Sequence, residues 1–452
     1  MNHESNIIAA IDIGTTKIVV IAGRRLPNGQ ISVLGIEQVV STGIKRGVIL
    51  NIEETVSAIR KAVQALELRL NVKIVNVFVG IAGQHIRSMQ NKVYTYIDPN
   101  MEIKLKDLDI LYKDNERMYM EPGLRILHII AQDYCVDQET GVKSPIGMSG
   151  RKFEGNFHVV MASEASLQNT HKCVTRAGLQ LQELMLEPLA SARSTITNEE
   201  KEIGVVLVDI GGGTTDVAVF QDGILRHTAI IPLGGNVITN DIKEGCSVLP
   251  KQAESLKVNY GSALGDMARQ DMVITLPGVS QGWESKEISC KSLSYIIQAR
   301  MEEIIDFVCH EIEVSGYYDK LGAGVVITGG GALLKNLSHL FKFRSGLDVR
   351  IGRPNLFAVD AGAGVDQPSC ATAVGLLLCG LESRKAPIVE MAKLFEEPEV
   401  EKPVETPLKP VAKKQVKEEV KKEAKRNKMG DLFTSLVEGI ENFVSYDDDK
   451  KL

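Results

Sequence analysis

Two apolar strands far apart in the chain run into the same polar turn. Ile7-Ile8-Ala9-Ala10-Ile11 leads into Asp12-Ile13-Gly14-Thr15-Thr16-Lys17, and Val205-Val206-Leu207-Val208 leads into Asp209-Ile210-Gly211-Gly212-Gly213-Thr214-Thr215-Asp216. This half-repeat constrains the fold more than any other feature. Backbone N–H groups can cradle a phosphate only where the chain approaches closely, and glycine permits that approach because it has no Cβ. Gly14, Gly211, Gly212 and Gly213 provide the freedom, Thr15, Thr16 and Thr214 add hydroxyls, and Lys17 adds positive charge. Asp12 and Asp209, at the strand ends, suit a magnesium ion that keeps several of its waters between itself and the carboxylates. Either turn alone would most often be an ordinary tight loop. As a pair behind apolar strands and aspartates, they predict two facing hairpins that clamp one Mg-nucleotide. The other common phosphate grip, G-x-x-x-x-G-K-[ST], does not occur.

A third strand and glycine turn, Val325-Val326-Ile327 into Thr328-Gly329-Gly330-Gly331-Ala332-Leu333-Leu334, is expected to open a helix and to lay Gly329, Gly330 and Gly331 beside a purine. Glu254 and Lys257 stand one helical turn apart on Gln252 to Lys257, so their side chains point the same way, as a plain surface ion pair would. Glu187 precedes Pro188, a good first-turn residue, and is the candidate for orienting a hydrolytic water. Neither the eight histidines nor the seven cysteines have metal-ligand spacing, and a disulfide framework is not expected.

From residue 6 to about residue 384 the pattern is α/β, with residues 84–162 reading as an insertion of charged, weakly patterned sequence. Residues 385–428 are rich in proline, lysine and glutamate, and read as a disordered basic linker. Beyond it, Met429, Leu432, Phe433, Leu436, Val437, Ile440, Phe443 and Val444 follow helical spacing, within an arc of about 140° at 100° per residue. That is an interfacial amphipathic helix with an acidic polar face, so attraction to anionic lipid must come from Lys413 to Lys428. No apolar run is long enough to span a bilayer, so membrane contact is expected to be peripheral. A net charge of −6 argues against a nucleic-acid partner.

These turns resemble the nucleotide motifs of the actin superfamily: phosphate-1 at Asp12 to Lys17, phosphate-2 at Asp209 to Asp216, and adenosine at Thr328 to Leu334. The closer resemblance is to the FtsA family of bacterial cell-division proteins. It rests on Gly80-Ile81-Ala82-Gly83 with Gln84-His85-Ile86, on Ala253-Glu254-Ser255-Leu256-Lys257 with Tyr260-Gly261, and on Ala299-Arg300-Met301-Glu302-Glu303-Ile304. It implies an actin-like two-lobed ATPase fold with a displaced subdomain, binding ATP and Mg2+, with Glu254 and Lys257 on the ribose. The boundaries it implies are a first lobe at 1–83 and 163–204, subdomain 1C at 84–162, and a second lobe at 205–384 with subdomain 2B at about 238–315. The linker at 385–428 and a membrane helix at 429–445 complete the chain.

The resemblance further implies filaments of the chain itself that tether FtsZ, held by its C-terminal peptide at 2B, to the cytoplasmic face of the inner membrane at the septum. Later division proteins would be recruited there, with ATP hydrolysis slow at most. A sugar kinase of the same fold would have no use for a lipid-seeking tail, and a peptide-binding chaperone would need a β-rich domain after residue 384.

Overall fold

The computed structural model describes residues 7–269, 271–277, 284–355 and 364–383. The expected linker and the expected membrane helix with its eight apolar positions lie outside the described residues.

The half-repeat becomes two five-stranded mixed sheets of identical strand order. In the first, Ile8–Ile13 is central, with Lys17–Arg25 and then Ile31–Val40 antiparallel on one side, and Asn76–Ile81 and then Gln180–Leu186 parallel on the other. In the second, Val205–Ile210 is central, with Thr215–Gln221 and Ile224–Ile231 antiparallel on one side, and Val325–Thr328 and Val349–Ile351 parallel on the other. Every residue of both central strands is buried. Strands covered on both faces read as unbroken apolar runs, which makes Asp12 and Asp209 the exceptions that need a reason.

Helices supply the cover. Ile52–Leu70 starts at Asn51, whose side chain accepts from the Glu54 N–H at 3.2 Å, and stops at Asn71 in the left-handed region. Its stripe of Val56, Ile59, Ala62, Val63 and Leu66 packs into the first-lobe core. Two further helices join the lobes by exchanging sides. Glu187–Thr195 follows the last strand of the first sheet, yet its Ala192 packs with Val205, Leu207 and Ala218 of the second. Ala371–Ser383 follows the second lobe, yet Ala373, Val374 and Leu377 pack with Ile8, Ala10 and Val19 of the first.

Each lobe carries an insertion. Between Asn76–Ile81 and Gln180–Leu186 lies an antiparallel sheet ordered Arg87–Tyr96, Lys152–Ser163, Leu124–Val136, Glu139–Val142, with the helix Leu105–Glu116. Leu111, Phe153 and Phe157 form its own core, with Tyr134 and Phe153 stacked at 5.5 Å between ring centroids. This unit also touches the second lobe's edge strand Ile224–Ile231. Ser88 Oγ donates to the Thr228 carbonyl (3.1 Å), Gln90 Nε2 to that of Arg226 (3.2 Å), and Gln132 Nε2 to those of Leu225 and Arg226 (3.2 and 3.1 Å). The second lobe's insertion comprises the helices Gly235–Gly245 and Pro250–Tyr260, the ribbon Val273–Leu276 with Lys286–Ser289, and the long helix Cys290–Ser315.

Candidate functional site

The two hairpin turns meet between the lobes. They border a cavity of about 370 Å³, lined also by Glu187, Glu254, Lys257 and Gly329 to Gly331. The cavity candidates from the sequence, namely Asp12, Gly14, Thr15, Thr16, Lys17, Glu187, Asp209, Gly211, Gly212, Gly213, Thr214, Glu254, Lys257, Gly329, Gly330 and Gly331, thus converge on one site of ligand-pocket size.

The turns are held from outside. Thr15 Oγ1 accepts the Gly47 N–H (3.0 Å), and the Gly211 N–H bonds the Thr214 carbonyl (2.9 Å) across the second turn. The first N–H groups of the helix Gly235–Gly245 bond the carbonyls of Gly211 and Gly212 at 2.9 and 2.8 Å. A Cβ on Gly212 would collide with Thr16 Oγ1, so the opposed turns can approach this closely only with glycine there.

Four carboxyls gather at the base of the cavity: Asp12, Glu187, Asp209 and Asp216. Asp209 and Asp216 stand directly opposite each other in the antiparallel ladder, so their side chains share a face. Burial pushes Asp12 up to about 7, with Lys17 opposing the rise and Asp209 adding to it. Burial, then the charges of Asp12, Asp216 and Asp209, lifts Glu187 well above the carboxylate range. Asp216 is lifted likewise by burial and then by Asp209 and Asp12. Asp209 rises through burial, moderated by hydrogen bonds from Ser191 (2.6 Å) and Thr372 (3.2 Å). The Lys17 ammonium donates to the Ser369 carbonyl at 2.7 Å and to Gln38 at 3.3 Å. The Asp216 Oδ1 atom is buried without a hydrogen-bond partner among the described residues. Crowded carboxyls, too little positive charge and an orphaned oxygen favour a hard cation such as Mg2+ that keeps its waters, since among the described residues no three carboxylates are grouped to hold a metal ion directly.

The opposite wall differs from expectation in one detail, the third glycine turn. Glu254 and Lys257 pair at 2.7 Å and also line the cavity, and Thr239 bonds both. The third glycine turn opens a single 3-10 turn, Gly330–Leu333, and the α-helix starts only at Leu337. Gly329 takes a φ of +83° against Asp209 and Ile210, a conformation and closeness that fold the turn back onto the second hairpin. Sequence reasoning missed Asn236, Lys335, Pro368, Ser369 and Thr372 on the cavity wall, and treated Asp216 only as the end of a motif. An aspartate facing an aspartate across a two-strand ladder was the available signal for the last of these.

The family model described as "Cell division protein FtsA" matches residues 206–375, and that described as "SHS2 domain inserted in FTSA" matches residues 83–161. The chain is 38% identical over 383 residues to the cell division protein FtsA of Pseudomonas aeruginosa, covering 84% of this chain and 91% of that protein. The chain belongs to the FtsA family. The FtsA of Escherichia coli K12 is 33% identical over 388 residues, again covering 84% and 91%. Among solved structures, one titled "PilM-PilN type IV pilus biogenesis complex" superposes with a TM-score of 0.60 at 14% identity, covering 83% of this chain and 98% of that one. At that identity the likeness concerns the fold, which is the actin-like ATPase fold carrying the insertion special to FtsA. No helix among the described residues is long and apolar enough to cross a membrane.

Proposed function

We propose that this FtsA-family chain binds ATP with Mg2+ between its hairpins, polymerises into actin-like filaments, and tethers FtsZ to the cytoplasmic face of the inner membrane, where later division proteins join. The observation that carries the nucleotide part is the buried carboxylate cluster short of positive charge beneath two opposed glycine turns. Asp12 and Asp209, through water, and Asp216 with its unpaired oxygen would hold the metal. Bound Mg2+ supplies the positive charge that carboxylates and phosphates both need. The chain's own share is to aim the N–H groups of the two turns, the hydroxyls of Thr15, Thr16 and Thr214, and the Lys17 ammonium at phosphates. Glu187, at the start of its helix and on the cavity wall, is the candidate for orienting a water in slow hydrolysis.

The domain boundaries implied by the family pattern belong to this reading: lobe 1 at 1–83 and 163–204, 1C at 84–162, lobe 2 at 205–384 with 2B at about 238–315 taking the FtsZ C-terminal peptide, linker at 385–428, and lipid-binding helix at 429–445. Many tails on one filament would give the avidity that one amphipathic helix lacks. The test is sedimentation with anionic liposomes and electron microscopy on lipid monolayers, with and without ATP, comparing the full chain with one ending at residue 428. Nucleotide-sensitive filaments on lipid, lost with the tail, are expected. A protein that stays monomeric on lipid at every ATP and protein concentration ends the filament reading.

A further inference from the structure

Three residues on the strand Leu124–Val136 reach from the inserted subdomain to the rest of the chain. Gln132 donates to two carbonyls of the second lobe's edge strand, and Ile130 packs against the apolar cluster that holds Ala192 of the helix Glu187–Thr195. His128 makes the third contact, its Nε2 accepting the Leu186 N–H at 3.0 Å. Leu186 ends the strand Gln180–Leu186, which borders its sheet, and it caps the helix that Glu187 begins. The outward N–H of a border strand has no partner within its own sheet, and a leucine side chain offers no cap. The histidine of the inserted subdomain fills that place. A ring nitrogen that accepts a hydrogen bond bears no proton, so the other nitrogen carries it and the imidazole is neutral. Burial agrees, holding the His128 pKa down at about 4. The next residue is Glu187, whose side chain lies over Gly80: a Cβ on that glycine would come within 2.9 Å of Glu187 Cγ and 3.1 Å of its Oε1. The His128 bond is thus one residue from a carboxyl on the cavity wall, although no residue of Leu124–Val136 lines the cavity itself.

We infer that His128 is a positioning residue which, by holding the Leu186 N–H, fixes where the Glu187 helix begins and so couples the placement of the inserted subdomain to the occupancy of the cavity. The inference rests on the nucleotide reading above for the identity of the occupant. Glu187 has Leu186 on one side and Pro188, whose ring fixes φ, on the other. A shift of its stem against Gly80 is therefore taken up at Leu186, where His128 feels it. The coupling runs both ways: whatever holds the subdomain in one placement changes nucleotide affinity by the same factor with which the nucleotide favours that placement.

The experiment follows hydrogen exchange by mass spectrometry, with and without saturating Mg-ATP, on the full chain and on its His128→Leu and His128→Gln variants, with calorimetry to establish binding. In wild type, Mg-ATP should slow exchange in 124–136 as well as in 186–195 by about fivefold or more, the low end of a coupling between sites. His128→Leu, which has no acceptor, should still bind Mg-ATP and keep the slowing in 186–195 while losing it in 124–136. His128→Gln, whose amide oxygen can accept where Nε2 does, should restore it. A wild-type response of 124–136 in His128→Leu overturns the inference. A loss that glutamine fails to restore would mean a merely structural histidine, and overturns it as well, as does a wild-type chain that binds Mg-ATP with no slowing in 124–136. A wild-type chain that binds no Mg-ATP would instead end the nucleotide reading beneath it.

Discussion

Replacing Asp12 by asparagine should stabilise the nucleotide-free protein while weakening the magnesium-dependent nucleotide binding proposed above. The Asp12 carboxyl is pushed from an ordinary 3.8 up to about 7, chiefly by burial. An acid whose pKa is higher folded than unfolded holds its proton better in the native state. Its contribution is therefore complete below about pH 4 and is lost as pH rises toward 7. At 1.36 kcal/mol per pKa unit the whole loss is about 4 kcal/mol, of which about 3 kcal/mol falls above pH 5. Asparagine has no proton to lose. Urea unfolding followed by circular dichroism at pH 5 and pH 8 should thus show wild type losing about 3 kcal/mol more than Asp12→Asn between the two. Saturating Mg-ATP should flatten the wild-type slope, because ligands that favour the ionised carboxylate bring its folded pKa back down. Parallel pH dependence in the two proteins would refute the claim that Asp12 is held protonated by its surroundings.

Gly212→Val should lose at least tenfold in ATP affinity by calorimetry, about 1.4 kcal/mol, since its side chain would occupy the position of Thr16 Oγ1; unchanged affinity would detach the second turn from the ligand. Phe433→Glu or Leu436→Glu should abolish co-sedimentation with anionic liposomes at unchanged ATP affinity, and wild-type sedimentation would remove the anchor from the proposal. Phe157→Ala, which empties a fully buried site in the inserted subdomain, should cost roughly 3–5 kcal/mol in urea unfolding.

The hairpins were legible because each is local. Strand, aspartate, glycine turn and returning strand lie within one continuous stretch, 8–25 and 205–221, and the unbroken apolar run before each aspartate announces a central strand. Contacts formed between distant parts of the chain left no such trace. The Lys17 ammonium finds its partner at the Ser369 carbonyl, and Asp209 finds Thr372. Neither pairing has any local pattern. Glu254 and Lys257 were visible as neighbours on one helix, but the threonine that bonds both sits on the preceding helix. The third turn looked like a helix start because triple glycine often precedes one, and the tight approach of Gly329 to Asp209 and Ile210 selected a 3-10 turn instead. Residues 84–162 seemed weakly patterned for a different reason. Most positions of the long strand Leu124–Val136 are neither fully buried nor fully exposed, so strict alternation never develops.

The side chains of Ser88, Gln90 and Gln132 on the edge strand Ile224–Ile231 bear on how copies of this chain can join. Three of that strand's outward carbonyls already have donors, so a neighbouring molecule cannot dock there by adding a strand. The opposite border of the same sheet, Val349–Ile351, is only three residues long, too short to seed a continuous ladder. With both borders of this five-stranded sheet closed in this way, copies meeting at it must do so through side-chain surfaces. Such contacts can be released subunit by subunit, as the filaments proposed above require, whereas backbone ladders between chains lock into fibrils.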